Sequence, residues 1–109
     1  LIDPGSTHSF IASGTASHLY QKPRVMGKDL VVSTPVGECV IVQTIYRDCV
    51  IQINRIEFPA DLIVFPMLEL DVILGMDWLA RYHAVVNCYT KEVSFGRPGQ
   101  DKVVFCGER

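Results

Sequence analysis

The chain has 109 residues, 49% of them hydrophobic and 20% charged, with a formal net charge of −2. That length holds one domain, since a two-lobed enzyme needs roughly twice the chain, and the apolar share excludes disorder and supplies a core. No apolar run approaches the roughly 20 residues that cross a bilayer, no charged-then-apolar leader opens the sequence, and the slightly acidic balance without a Lys/Arg cluster argues against nucleic acid as a partner.

In chain order, Leu1-Ile2-Asp3 reads as the end of a strand. Asp3-Pro4-Gly5-Ser6-Thr7 reads as a turn in which Pro4 keeps Asp3 extended and Gly5 permits a positive φ. Residues 10–19 are expected to form a short helix with Thr7 or Ser9 as its N-cap, weakened by Gly14. Residues 29–33 and 39–42, two β-branched runs around Thr34-Pro35-Val36-Gly37, predict a hairpin. Further strands are predicted at 49–53, 62–64 and 72–74, the last wholly apolar and so covered on both faces. Gly75 ends that run, and residues 76–83 have helical spacing, with Asp77 near the positive end of the helix dipole. Strands at 85–87, 92–95 and 102–105, the last two joined by a Pro98-Gly99 turn, complete a mainly β domain with one or two short helices.

The four cysteines (Cys39, Cys49, Cys88, Cys106) form no C-x-x-C pair, and the expectation is reduced, structural thiols, mostly small core residues in β-rich stretches. His8, His18 and His83 are scattered at no metal-ligand spacing, so no metal site is expected. The serines lack a G-x-S-x-G setting and there is no G-x-x-x-x-G-K loop, which excludes a serine hydrolase and a nucleotide-binding enzyme. Taken singly, Asp3-Pro4-Gly5 is a turn and Gly75-Met76-Asp77-Trp78 a strand-to-helix joint with a capping carboxylate.

The succession of features says more. An apolar pair leads into Asp3-Pro4-Gly5-Ser6-Thr7-His8-Ser9-Phe10-Ile11, a hairpin follows, and Ile73-Leu74-Gly75-Met76-Asp77-Trp78-Leu79 closes the pattern. This arrangement, from Leu1 to about Phe95, resembles the retropepsin-like aspartic proteases in the polyproteins of Ty3/gypsy-type long-terminal-repeat retrotransposons. The resemblance implies a mainly β, closed barrel-like single lobe with a flap hairpin, active as a homodimer on polypeptide substrates with no metal and no organic cofactor, and working inside the cell, in the cytoplasm. It implies that Asp3 is catalytic, that Gly5 and Ser6 line the site, and that residues 30–42 form the flap, with Thr34, Val36 and Gly37 of its tip binding substrate. Asp77 and Trp78 are expected to be structural, and substrates to carry apolar residues around the scissile bond.

Only one Asp-x-Gly triplet is present, because Asp29, Asp48, Asp61, Asp71, Asp77 and Asp101 all lack the glycine two positions on. A dyad therefore calls for Asp3 from two copies related by a two-fold axis. Pro4 departs from the family pattern, which has Ser or Thr there bridging to the partner's loop. Residues 1–109 are expected to be a single protease domain lacking the strand that precedes the catalytic loop in relatives. Two other readings stay open: a catalytically decayed dimerisation or peptide-binding module, and a small β-barrel that matches both motifs by chance.

Overall fold

Tertiary pairing, rather than local propensity, decides the first element. The computed structural model describes residues 1–33, 37–53, 55–66, 68, 70–96, 99 and 102–106. In it β1 (Phe10–Ala12) is a strand, where a helix over 10–19 is expected from the sequence. Its neighbours explain the difference: Phe10 to Ala12 pair in parallel with Ile63 to Phe65, and Phe10 and Ile11 pair on the other side with Ile73 and Val72. Two buried apolar side chains held between two strands outweigh the helical tendency of the segment. Only the four residues of α1 (Ser13–Ala16) are helical, and Ala12 is the N-cap with no side-chain hydrogen bond, so neither Thr7 nor Ser9 caps it.

The segment rich in β-branched residues forms long strands. β2 (Arg24–Ser33) runs antiparallel to β3 (Cys39–Ile53), and the hairpin register is Leu30↔Val42, Val31↔Ile41, Val32↔Val40 and Ser33↔Cys39. The strand expected at 49–53 is the second half of β3, which continues through a bulge between Tyr46 and Cys49. At the bulge Asp48 has a φ of 51°, and its N–H donates to Asp61 Oδ1 at 2.9 Å. β4 (Ile56–Phe65) returns antiparallel to β3 and is longer than the run 62–64 that its apolar residues suggest. β5 (Val72–Ile73) completes a sheet ordered β2-β3-β4-β1-β5. α2 (Met76–Arg81) follows, and β6 (Val85–Asn87), β7 (Glu92–Phe95) and β8 (Val103–Cys106) form a second sheet in that order. In the β6–β7 turn Asn87 Oδ1 accepts the N–H groups of Tyr89 and Thr90 at 3.0 and 3.1 Å.

Two apolar clusters hold this lobe. The larger centres on an aromatic group in which Phe58 lies within 6 Å of Trp78, Tyr82 and Phe95, all near edge-to-face. It ties β4, α2 and the second sheet together. The smaller joins Phe10, Val42, Ile45 and Ile63, with Leu30, Val32 and Val40 packed on it, and anchors the base of the β2–β3 hairpin beside β1. Of the described thiols only Cys49 joins the core; Cys39 and Cys88 are free and exposed, which corrects the expectation of mostly buried cysteines. Cys39 opens β3 next to the hairpin turn, and Cys88 lies in the turn between β6 and β7. No helix among the described residues is long and apolar enough to cross a membrane.

Candidate active site

Asp3 stands at the point where the two ends of the motif pattern meet. Ile2 and Leu74 form a parallel bridge, Asp3 N–H donates to the Leu74 carbonyl at 2.9 Å, and Leu74 N–H donates to the Leu1 carbonyl at 2.8 Å. The expected strand at the chain start is thus a single bridge rather than a longer ladder. Beyond it the chain turns: Ser6 N–H donates to the Asp3 carbonyl at 3.1 Å, and Gly5 N–H donates to Asp3 Oδ1 at 2.9 Å. A side chain at Gly5 would put its Cβ 3.2 Å from that same oxygen, so glycine keeps the carboxylate's near side open. Asp3 is half-buried, with one oxygen fixed by backbone.

Gly75 makes the crossing possible. A Cβ there would fall inside the His8 carbonyl oxygen and lie 2.7 Å from the Ser6 carbonyl oxygen, both of them backbone atoms. The close approach lets Met76 N–H donate to the Ser6 carbonyl at 2.7 Å and Gly75 N–H donate to Ser9 Oγ at 2.9 Å. Ser9, fully buried, donates in turn to Asp77 Oδ1 at 2.6 Å, and the same oxygen accepts Trp78 N–H at 2.7 Å. Asp77 is therefore a latch between the loop that carries Asp3 and α2. It is not the helix cap; Gly75 is, with no side-chain bond of its own.

The loop and the hairpin enclose a cleft of about 250 Å³. One wall runs from Gly5 to His8 and on to Phe10, and the other from Leu30 to Ser33 of β2. Gly5 and Ser6 thus stand in the cleft wall next to Asp3, and the Ser6 hydroxyl donates to the His8 carbonyl at 2.7 Å. Gly37 belongs to the hairpin turn with a φ of +91°, a conformation that glycine adopts freely, and it does not line the cleft. Thr34 and Val36 lie outside the described residues. A larger hollow of about 600 Å³ beside α1, bordered by His18 and Asp71, shares no residue with the cleft.

Sequence reasoning missed Ser9 and the Thr7–His8 pair, whose Oγ1 and Nδ1 atoms are 2.9 Å apart. A signal for Ser9 exists in hindsight: a lone hydroxyl between the turn and the buried Phe10-Ile11 needs a partner, and the aspartate after Gly75 provides one. Among the described residues no three His, Cys, Asp or Glu side chains gather as a metal site.

The family model of the retroviral aspartyl proteases matches residues 1–101. No curated protein matches the chain significantly. The match takes in the Asp3 loop, both strands of the hairpin and the Gly75 crossing as one continuous unit, so the chain belongs to the retroviral aspartyl protease family and is a retropepsin-like aspartic endopeptidase.

Proposed function

We propose that this chain cleaves peptide bonds of a retrotransposon polyprotein in the cytoplasm, with Asp3 from each of two copies as the catalytic pair. The observation that carries the reading is the Asp3 carboxylate, held by Gly5 N–H beside a cleft roofed by β2, in a chain with one Asp-x-Gly triplet. Two carboxylates at about 3 Å cannot both ionise readily, so the pair shares a proton. The ionised member takes a proton from a bound water, and the protonated member polarises the scissile carbonyl toward attack by that water. Neither copy is acid or base beforehand, because the proton belongs to the pair. Since each chain supplies one such carboxylate, the second comes from an identical subunit across a two-fold axis. In this scheme Gly5 and Ser6 border the reacting bond while Thr34, Val36 and Gly37 close over the substrate.

Asp3→Asn tests it. Cleavage of an apolar peptide is expected to fall to background while the variant keeps the melting temperature and sedimentation behaviour of the parent; cleavage that survives refutes the dyad. Pro4, which offers neither a hydroxyl nor an N–H to a partner loop, favours a second reading as a decayed peptide-binding module. Titration with a pepstatin-type transition-state mimic separates the two: one inhibitor bound per dimer supports the protease, and a dimer that ignores it supports the module.

A further inference from the structure

The cleft is not uniformly apolar. Phe10, Leu30, Val31 and Val32 line it with carbon, yet His8 stands among them, and it is the one ionisable side chain among the described residues that border the cavity. Its backbone is pinned where the loop crosses Gly75: its carbonyl accepts the Ser6 hydroxyl at 2.7 Å and occupies the space that a Cβ at Gly75 would need. Its ring is oriented as well, because Nδ1 meets the Thr7 hydroxyl at 2.9 Å. With Nδ1 engaged by that hydroxyl, Nε2 is the nitrogen left to meet a ligand, and no partner takes it among the described residues. When the hydroxyl donates, Nε2 carries the proton; when the ring is cationic, both nitrogens donate. In both of these states Nε2 is a donor, and a cationic ring adds charge; with the proton on Nδ1 and given to Thr7 Oγ1, Nε2 is an acceptor, and a carboxylate ligand selects the donor states over that one.

We propose that His8 is a specificity-determining residue that takes an acidic side chain of the substrate peptide, next to apolar residues that fill the rest of the cleft. The proposal rests on the proteolytic reading of that cleft and sharpens its substrate class from purely apolar to apolar with one carboxylate. No hydrogen bond or ion pair joins His8 to Asp3 among the described residues; the described side-chain partner of His8 is the Thr7 hydroxyl. A carboxylate accepts from an imidazole N–H better than a neutral group does, because charge-assisted bonds are shorter and about twice as strong. A lysine at the same place meets a donor with a donor.

The test uses apolar decapeptides in which a single glutamate, alanine or lysine is walked through the positions on both sides of the central bond. Binding is measured by fluorescence anisotropy with Asp3→Asn, so that no cleavage is needed, while NMR follows the His8 ring nitrogens; cleavage is measured with the parent chain. One register is expected in which glutamate binds about tenfold tighter than alanine, with lysine weakest and the His8 signals moving on binding. His8→Gln should level the glutamate advantage, and His8→Asp should turn it into a preference for lysine. No register preferring glutamate, or a preference that persists in His8→Asp, overturns the proposal. The two readings fail separately. Glutamate-selective binding without cleavage by the parent refutes the protease and leaves the subsite standing, whereas cleavage indifferent to glutamate refutes the subsite alone.

Discussion

Gly75→Ala places one methyl group where the structure has no room for it. The new Cβ would overlap the His8 carbonyl oxygen and stand 2.7 Å from the Ser6 carbonyl oxygen and 2.8 Å from the His8 carbonyl carbon. All three are backbone atoms of a loop already committed to Leu74, Gly75 and Met76, so no side chain can swing away. Relief requires the loop and the strand to part. Overpacking of this kind costs about 1–3 kcal/mol, and each seam hydrogen bond lost adds about 0.5–1.5 kcal/mol. The bonds at risk are Asp3 N–H to Leu74 O at 2.9 Å, Met76 N–H to Ser6 O at 2.7 Å and Gly75 N–H to Ser9 Oγ at 2.9 Å. A loss of about 3–5 kcal/mol is expected, most of the margin of a domain whose total is about 5–15 kcal/mol. The single tryptophan, Trp78, is buried next to the seam and reports unfolding by fluorescence. In urea the midpoint should fall by about 1 M or more, at m-values of about 1–3 kcal/mol/M. Gly14→Ala is the control: a Cβ there meets nothing within 4 Å, and alanine in α1 should be neutral or gain about 0.5–1 kcal/mol. A Gly75→Ala midpoint that coincides with the parent's refutes the close-approach argument.

The buried seam and the cysteines lead to three further predictions. Ser9→Ala leaves the Gly75 N–H without an acceptor in a buried seam and removes a donor from Asp77, a cost of about 2–4 kcal/mol. Asp77→Asn keeps an amide oxygen for Ser9 and for Trp78 N–H and should cost less than half as much; equal urea midpoints for the two variants contradict the latch. Burial pushes the Cys49 thiol above its ordinary value of 9.0, so the unfolded chain gives up the proton first as pH rises. The stability this contributes is whole below about pH 9 and is lost between there and the folded-state pKa, and Cys49→Ala should flatten that alkaline decline. In the folded protein a thiol reagent should label Cys39 and Cys88 promptly and reach Cys49 on unfolding, and prompt labelling of Cys49 contradicts its burial.

What could be read in the sequence was punctuation and order. Gly75 and the glycine of the hairpin turn are backbone requirements, and a backbone requirement shows itself at single positions; Gly5, expected to take a positive φ, does not, and matters for the space beside Asp3 Oδ1. The short strands of the second sheet were also legible, since Val85–Asn87 and Glu92–Phe95 sit between clear breaks. Long-range pairing was not. Phe10-Ile11-Ala12 carries no local mark that two strands, at 63–65 and 72–73, will claim it from both sides. A bulge at Asp48 makes one long strand look like two, because the alternation breaks where the φ turns positive. The site divides in the same way: Asp3 and Gly5 declare themselves as a triplet, whereas Ser9 and Asp77 are 68 positions apart and acquire meaning as a pair once the crossing brings them to 2.6 Å.

Pro4 separates two tasks that a hydroxyl residue there would combine. Asp3 is placed by its own N–H on Leu74, by its carbonyl under Ser6 N–H and by Gly5 N–H on its carboxylate, and none of these bonds uses the N–H or side chain of residue 4. Proline therefore costs nothing in placing the carboxylate within one subunit, and its fixed φ restrains the unfolded chain. What it withholds is any donor or acceptor on its side chain for the loop of a second copy. If the active form is the proposed two-copy one, the consequence falls on assembly. Pro4→Thr should leave the stability of a single subunit within about 1 kcal/mol, because the restraint lost is of that size. In a two-fold dimer each new bond occurs twice, so the concentration for half-maximal activity should drop about tenfold or more while the rate per assembled dimer stays the same. Activity assayed across a dilution series reads both quantities. If threonine instead raises the plateau rate and leaves the concentration dependence untouched, residue 4 acts on the carboxylate itself, and the placement derived from the Leu74 and Gly5 bonds is incomplete.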